Sequence, residues 1–303
     1  MTTSRESTRR VGVRTRVRNH LVPFGFTAVT MALFAIFFVW PAVLGLYYSL
    51  TDYRGFGTAD FVGVANYIKL FEDSDFYQAV LRTLTYTAAV VPLSFAVPLL
   101  ISVLLVGRYC RWSRAAQVLF FLPWLISPIV AGVIWRWMFG ESFGLVNFVL
   151  SMMGIKAVHW QTDSNLSLST VVVAAVWGGL AFNMLLFMAA LKNIPRSYYE
   201  AAEIDGASGW RQFWSISLPL LRPTSFMVVL LSTIAAMKEF ALVQALNGGG
   251  PGNTNYLMVQ YIYHTGFEVN KVGYASAASF VLMLMLLVIA LIQVRIDRRT
   301  ELG

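Results

Sequence analysis

Residues able to carry out chemistry are few and scattered in this sequence. Histidine occurs three times, as His20, His159 and His264, and the single cysteine is Cys110. A zinc or thiolate site needs several such ligands at close spacing, so the sequence predicts no metal site. No Ser, His and Asp set and no carboxylate pair converges on one predicted element. We therefore expect no catalytic site, with a membrane-embedded enzyme as the minor alternative.

ATP hydrolysis is the second chemistry to consider, and the sequence argues against it. A phosphate-binding loop needs a lysine directly after a glycine, because the glycine amides cradle the phosphates and the lysine neutralises them. None of the five lysines follows a glycine, and the run Gly248 to Gly250 precedes Pro251 rather than a helix. The sequence therefore predicts neither an ATPase site nor a bound cofactor in this chain.

The elements that must position any site are apolar segments. Hydrophobic residues make up 57% of the chain and charged residues 13%, against about a quarter charged in a soluble domain. A spanning helix needs about 20 apolar residues, because it rises about 1.5 Å per residue across a core of about 30 Å. The sequence predicts an all-α membrane protein with one six-span domain, residues 21–294. The spans are Leu21–Leu50, Leu84–Val106, Gln117–Phe139, Leu168–Leu191, Thr224–Leu246 and Gly273–Val294, with kinks expected at Pro41, Pro92, Pro98, Pro123 and Pro128.

Basic residues concentrate on one set of predicted connections. Sixteen of the 23 Lys and Arg residues lie in the leader (1–20), in the second and fourth connections, and in the tail (295–303), against five in the alternate connections. The positive-inside rule then places both termini in the cytoplasm of a multi-pass protein of the plasma membrane. Because topology accounts for the net charge of +8, no nucleic-acid partner is expected.

The connection between spans four and five, residues 192–223, is too long for a simple turn. Two short helices are predicted there, at about 197–204 and 208–217, with the second ended by Leu218 and Pro219. Ser197 and Glu200 have the spacing of a capping box. Gly206 can adopt the left-handed conformation that reverses the chain.

Two interpretations of this loop compete. Its patterning alone is equally consistent with an amphipathic hairpin lying on lipid headgroups. Carboxylates at Glu200, Glu203 and Asp205 would, however, be repelled by anionic lipid. A protein groove lined with basic residues is the better fit.

The loop also carries a motif that resembles the permease subunits of binding-protein-dependent ABC importers, in the sugar-type branch. Their signature is Glu-Ala-Ala, three residues, Gly, nine residues, then Ile, any residue, Leu and Pro. Seven positions match over twenty residues with every interval intact. The segments FVGVANY (61–67) and NGGGPG (247–252) are similar to the same branch. The matching positions are Glu200, Ala201, Ala202, Gly206, Ile216, Leu218 and Pro219.

The resemblance implies that this loop is a coupling-helix pair, which docks into a separate ATP-hydrolysing subunit. It implies polar contact by Glu200, close packing by Ala201 and Ala202, and a turn at Gly206. The implied partners are a second homologous permease, two ATPase subunits that bind the ATP and Mg, an extracellular solute-binding protein and the bilayer. The ATPase-coupling set further includes Asp205, Ala207, Ile216, Leu218 and Pro219.

Ionisable side chains within the spans are the first candidates for a solute path, because they are costly in a bilayer. Lys238 and Glu239 lie about 12 Å of helix before the end of span five. Contact with the solute and a structural ion pair are equally supported for them. Arg136, between two tryptophans, is better explained as an anchor at the headgroups than as a pore residue.

Span four supplies a second candidate patch for the solute. Sugars are commonly held by amides and aromatic rings, which Asn183 and Trp177 provide. Close helix packing through Gly178 and Gly179 is an equally good explanation of the same stretch.

The function expected from these observations is ATP-driven import of a sugar or a related polar solute, with this chain forming half of the pore. Import of glycerol phosphate or a glycerophosphodiester is the first alternative. An ion-coupled secondary transporter is the second, but it predicts inverted repeats and a chain of titratable residues, and neither was found. An anchoring subunit without a pore would leave the polar residues of the spans unused.

Overall fold

The computed structural model describes residues 27–106, 113–253 and 255–301. The predicted leader and Cys110 lie outside these residues. All regular structure in the described ranges is helical, apart from one isolated β-bridge between Thr51 and Phe61. The prediction of an all-α membrane protein is confirmed.

Within the described ranges, four helices are long and apolar enough to cross a membrane. The second, third and fourth of these helices extend beyond the predicted spans, because polar residues that hydropathy does not count continue the helix. The last helix runs seven residues past the predicted end at Val294. These helices are α1 (Thr27–Ser49), α3 (Ser74–Val106), α7 (Ser164–Asn193) and α13 (Val272–Glu301).

The third predicted span is broken. It consists of α4 (Ser113–Phe121), a 3-10 turn (Leu122–Leu125) and α5 (Pro128–Met138), and the two halves meet at 103°. The break follows from local chemistry, because Pro128 opens α5 and the Ser127 hydroxyl accepts a hydrogen bond from the amide of Val130.

The fifth predicted span is also broken, into α10 (Arg222–Met237) and the short α11 (Ala241–Leu246). A separate bend of 69° lies before this span, between α10 and the preceding helix α9 (Gly209–Leu220). Counting each bent pair as one span gives up to six crossings in the described chain.

Prolines within helices act differently from one another. Pro41 follows a π-helical turn (Ala35–Val39) in α1, while Pro92 and Pro98 lie inside α3 without breaking it. The expected disruption therefore occurs at Pro123 and Pro128, whereas α3 continues through its two prolines.

Shorter helices complete the fold on either side of the spans. They are α2 (Ala65–Glu72), α6 (Leu145–Met152), α8 (Arg196–Ile204) and α12 (Met258–Tyr263), the last followed by a π-helical turn (His264–Glu268).

Helices α3 and α7 form the centre of the bundle, and the buried core lies around them. Tyr86 of α3, Val171 of α7 and Leu246 of α11 belong to one buried cluster, and Phe187 of α7 packs with Leu99 in another. Large apolar side chains are exposed along the outer helices, including Phe37 and Phe38 of α1. A bilayer-facing surface is the physical explanation of that exposure.

Candidate functional site

The connection between α7 and α10 consists of two short helices joined by a tight turn. Gly206 has φ +74°, its amide donates to the carbonyl of Glu203 at 3.1 Å, and the amide of Ala207 donates to the carbonyl of Ala202 at 2.8 Å. These bonds form a Schellman motif, which requires a left-handed residue at the position of Gly206. The predicted reversal of the chain at Gly206 is confirmed. The hydrogen-bond pattern of this helix end explains why Gly206 stands four positions after Ala202.

The predicted capping box in this loop is wrong. Helix α8 begins at Arg196 with Pro195 as its N-cap, and no side chain caps it. Ser197 therefore lies inside the first turn, where it cannot form the reciprocal pair with Glu200. The Ser208 hydroxyl does accept the amide of Arg211 at the start of α9, at 3.4 Å.

The predicted end of the second helix is also wrong. Helix α9 continues through Pro219 to Leu220. A π-helical turn (Phe213–Ser217) precedes the proline, and the amide of Leu218 donates to the carbonyl of Phe213, five residues back. This local change of register accommodates the missing N–H of the proline.

The loop presents an unusual surface for its size. Ile204 is 86% exposed and Trp210 is 72% exposed, and Trp210 packs its ring against Trp214 at 5.6 Å. The two helices are tied by the hydroxyls of Tyr199 and Ser217, 2.8 Å apart. Of the predicted coupling residues, Glu200, Ala201, Asp205, Gly206 and Pro219 are exposed, and Ala202, Ala207, Ile216 and Leu218 are half-buried.

Asn183 lies in the interior of the bundle. It is buried, and its amide nitrogen donates to the carbonyl of Ser94 at 2.9 Å and to the hydroxyl of Ser232 at 3.3 Å. These contacts join α7 to α3 and α10. The residue thus links three helices, a role that the sequence interpretation did not give it.

Trp177 lies on α7 in an aromatic group. Its ring meets that of Trp135 edge-on at 5.7 Å, and Trp135 stacks on Phe139 at 5.5 Å. A side chain added at Gly178 or Gly179 would meet no atom of this chain within 4 Å. Within the described chain these two glycines do not mediate helix packing, so that explanation is wrong here. They leave open space beside Trp177.

Lys238 and Glu239 lie at the break of the fifth span rather than within a helix. Helix α10 ends at Met237, and Glu239 accepts the amides of Phe240 and Leu242, both at 3.0 Å, so it caps α11. Lys238 is exposed. In the part of the chain that the structure describes, neither side chain forms a salt bridge, which removes the ion-pair explanation within this chain.

Arg136 lies in the last turn of α5, exposed beside Trp137. This is the position expected of an anchor at the membrane interface. Its carbonyl accepts the side-chain amide of Gln161 at 2.8 Å, which attaches the following loop to α5.

The FVGVANY segment proves to close the end of α1. The amide nitrogen of Asn66 donates to the carbonyls of Ser49 at 2.9 Å and Thr51 at 2.7 Å, and the hydroxyl of Tyr67 meets that of Ser49 at 2.8 Å. These bonds satisfy carbonyls that a helix end leaves free. The segment therefore positions the loop after α1.

The glycine-rich segment 247–252 forms a sharp reversal. Four of its glycines have positive φ, and the side chain of Asn247 accepts the amide of Gly249 at 3.1 Å while donating to the hydroxyl of Ser167 at 2.9 Å. These bonds hold the segment as a turn packed against α7.

Two polar networks had no signal in the sequence. In one, the carboxylate of Glu141 accepts bonds from Thr162 and lies 3.1 Å from the ring nitrogen of His159. In the other, the carboxylate of Asp73 accepts the hydroxyls of Tyr261 at 2.6 Å and Tyr274 at 2.9 Å. Partners 18 to 201 positions apart come together only in the folded chain.

Comparison with known proteins identifies relatives over most of the chain. Residues 11–302 match the family described as binding-protein-dependent transport system inner membrane component. The chain is similar to the sn-glycerol-3-phosphate transport system permease protein UgpA of Yersinia pestis, with 35% identity over 92% of this chain and 94% of the relative. The protein of the same name from Agrobacterium fabrum is 32% identical over 94% of this chain and 98% of the relative.

Solved structures show the same fold. A chain of a bacterial ABC transporter involved in the import of the acidic polysaccharide alginate aligns with a TM-score of 0.84 and 23% identity, covering 95% of this chain and 98% of that chain. A chain of an amino acid ABC transporter aligns with a TM-score of 0.51 and 14% identity, covering 80% of this chain and 100% of that one.

Three observations agree with one another. The family match extends over residues 11–302, two relatives exceed 30% identity, and the signature is intact on the loop between α7 and α10. The chain belongs to the family of inner membrane components of binding-protein-dependent transport systems.

Proposed function

We propose that this chain is one permease half of an ATP-driven importer and that the loop of α8 and α9 receives motion from a separate ATPase subunit. The observation that carries the proposal is the signature from Glu200 to Pro219, which lies on an exposed pair of short helices. The exposed apolar side chains of Ile204 and Trp210 support a protein partner for this surface. A rigid helix pair seated in a groove can transmit rotation to the spans attached to it.

The orientation follows from the same proposal. The coupling loop, the leader and the tail lie in the cytoplasm, where the positive-inside rule assigns them. The complex then contains a second homologous permease, two ATPase subunits that bind ATP and Mg, and an extracellular solute-binding protein.

For the solute, we favour glycerol phosphate or a related phosphate ester. The supporting observation is that relatives at 32% and 35% identity carry the name of a glycerol-3-phosphate permease. A sugar becomes the second candidate, because the alginate importer shares 23% identity and its likeness supports the fold alone.

The proposed path for the solute passes the break of the fifth span. The exposed ammonium of Lys238 suits an anionic solute. Open space beside Gly178 and Gly179 gives a solute access to the ring of Trp177. Glu239 and Asn183 support this path indirectly, by capping α11 and by joining three helices.

Reconstitution of the complete transporter in vesicles tests the function. Uptake of labelled sn-glycerol 3-phosphate and of maltose would be measured with and without ATP, the ATPase subunits and the binding protein. We expect uptake that requires all three. Uptake driven by an ion gradient in the absence of the ATPase subunits would instead identify a secondary transporter and contradict the proposal.

A further inference from the structure

A cavity of about 870 Å³ lies between the segment after α1 and the segment before α13. Its walls include Arg54, Lys69 of α2, and Lys271 directly before α13. With the six crossings that the described helices allow, successive spans alternate in direction. The coupling loop then follows the fourth span, whereas these residues follow the first and fifth. The cavity therefore lies at the end of the bundle opposite the coupling loop.

Two of the carboxylates that line the cavity are already engaged within the protein. Asp73 accepts the hydroxyls of Tyr261 and Tyr274 and the amide of Asp75, and Asp52 accepts the amide of Asp60 at 3.1 Å. Burial raises the pKa of Asp73, but the hydrogen bonds from the two tyrosines and the backbone outweigh it and lower the pKa below its usual value.

Three cations of the cavity have no such partner. Within the residues that the structure describes, no carboxylate oxygen lies within 4.0 Å of the charged nitrogens of Arg54, Lys69 or Lys271. Three positive charges, together with that of Arg82, thus line one cavity in which two of the four carboxylates are bonded within the protein. Such a set suits the oxygens of a phosphate, which accept charge-assisted bonds.

The backbone next to Lys271 is unusual. Asn270 is the one non-glycine residue with positive φ in the described ranges, at 58°, and it also lines the cavity. The amide of Lys271 donates to the carbonyl of Thr265 at 3.0 Å, within the π-helical turn (His264–Glu268). Turns of this kind occur frequently at functional sites. The geometry fixes where Lys271 enters the cavity.

We propose that this cavity is an external binding site for the phosphate group of an anionic solute, held by Arg54, Lys69 and Lys271 before the solute enters the pore. The proposal rests on the proposed function for its solute class. Glu72 and Asp75 line the same cavity and provide acceptors for hydroxyl groups. The volume lies within the range of about 300 to 1,000 Å³ that is usual for small-molecule sites.

The test is direct binding to the complete transporter in lipid nanodiscs without its binding protein. The probes are labelled sn-glycerol 3-phosphate, inorganic phosphate and glycerol. We expect the two phosphates to bind saturably and glycerol not to bind. K69M and K271M should each weaken phosphate binding about tenfold or more, because one charge-assisted bond is lost, and K69R should restore it. K156M is the matched control, since Lys156 is an exposed cation outside the cavity.

Several results would overturn the proposal. Unchanged affinity in K69M and K271M, equal weakening in K156M, or the absence of phosphate binding to the parent complex would each do so. If the two cavity variants bind solute normally but weaken docking of the binding protein, the cavity is a docking surface and the proposal is wrong.

Uptake by the same variants separates this site from the proposed function. If the parent imports glycerol phosphate with ATP while the cavity variants both bind and import it normally, the cavity site fails and the proposed function stands. If the parent imports a sugar and no phosphate ester, the proposed solute fails, and the cavity site fails with it.

Discussion

The side-chain amide of Asn183 donates to the carbonyl oxygen of Ser94, the carbonyl that Pro98 leaves without a donor. In a regular helix the amide of residue 98 would bond to residue 94, but proline has no N–H. Asn183 on α7 supplies the missing donor at 2.9 Å. This relationship explains how α3 continues through Pro98, and it gives the polar residue of α7 a structural reason to be there.

A double-mutant cycle tests this relationship. Asn183→Leu should destabilise the protein by about 1 to 2 kcal/mol, because a buried carbonyl loses its donor. In a Pro98→Ala background the backbone can supply that donor itself, so the same change should cost less. The measurement is the thermal unfolding midpoint of the four proteins in detergent. Equal costs in both backgrounds would show that Asn183 does not act through Ser94.

The Lys238→Met variant tests whether the solute is anionic. For an anionic solute, this change should lower the initial uptake rate at least tenfold, because a charge-assisted bond is lost from a low-dielectric path. For a neutral sugar, the loss should be smaller. Rates would be compared at equal membrane abundance, with Lys156→Met as the control. Normal transport of an anionic solute by Lys238→Met would contradict the proposed path.

The loop after α5 should lose stability in acid. The Thr162 hydroxyl, followed by His159, lowers the pKa of Glu141 from 4.5 to about 2, and burial acts in the opposite direction. Because the folded-state pKa is depressed, the stabilisation is present above about pH 4.5 and is lost as the pH falls towards 2.

Thermal unfolding of Glu141→Gln at pH 7, 4.5 and 3 measures this effect. We expect a lower midpoint than the parent at pH 7 and a smaller difference at pH 3. Glu268→Gln is the control, because it also removes a carboxylate that lies beside a histidine. Glu268 lies 3.7 Å from His264 on an exposed turn. A difference that stays constant or grows in acid would refute the assignment.

Labelling of single cysteines tests the orientation. In a chain lacking Cys110, Ser208→Cys in the coupling loop should react with a membrane-impermeant thiol reagent only after the cells are opened. Ser164→Cys, at the start of α7, should react in intact cells. The reverse pattern would place the coupling loop outside the cell and remove the basis for an ATPase partner.

The existence of apolar spans could be predicted from composition, because an apolar segment of the right length has few other stable environments. The breaks within the third and fifth spans could not. Hydropathy averages over Lys238 and Glu239 and does not detect that Glu239 caps a new helix, and the prolines at 123 and 128 indicated a kink without indicating a bend of 103°.

Sequence spacing predicted the turn at Gly206, because this turn depends on neighbouring residues only. The prediction of a capping box at Ser197 is wrong because the helix begins at Arg196. The cavity cations at 54, 69 and 271 had no signal, since only tertiary packing brings three distant segments together.

Coupling of ATP hydrolysis to import by the helix pair of α8 and α9 is tested by ATP-driven uptake. The proteins compared are Gly206→Val and Gly209→Ala in the reconstituted transporter. Gly206 has φ +74° and Gly209 does not have a positive φ, while neither position would bring an added Cβ within 4 Å of another residue. Within this chain a Cβ added at 206 therefore acts through the backbone, by straining the turn. We predict that Gly206→Val inserts normally but abolishes uptake and weakens association with the ATPase subunit, whereas Gly209→Ala retains both. Normal uptake and normal ATPase association in Gly206→Val would contradict the account.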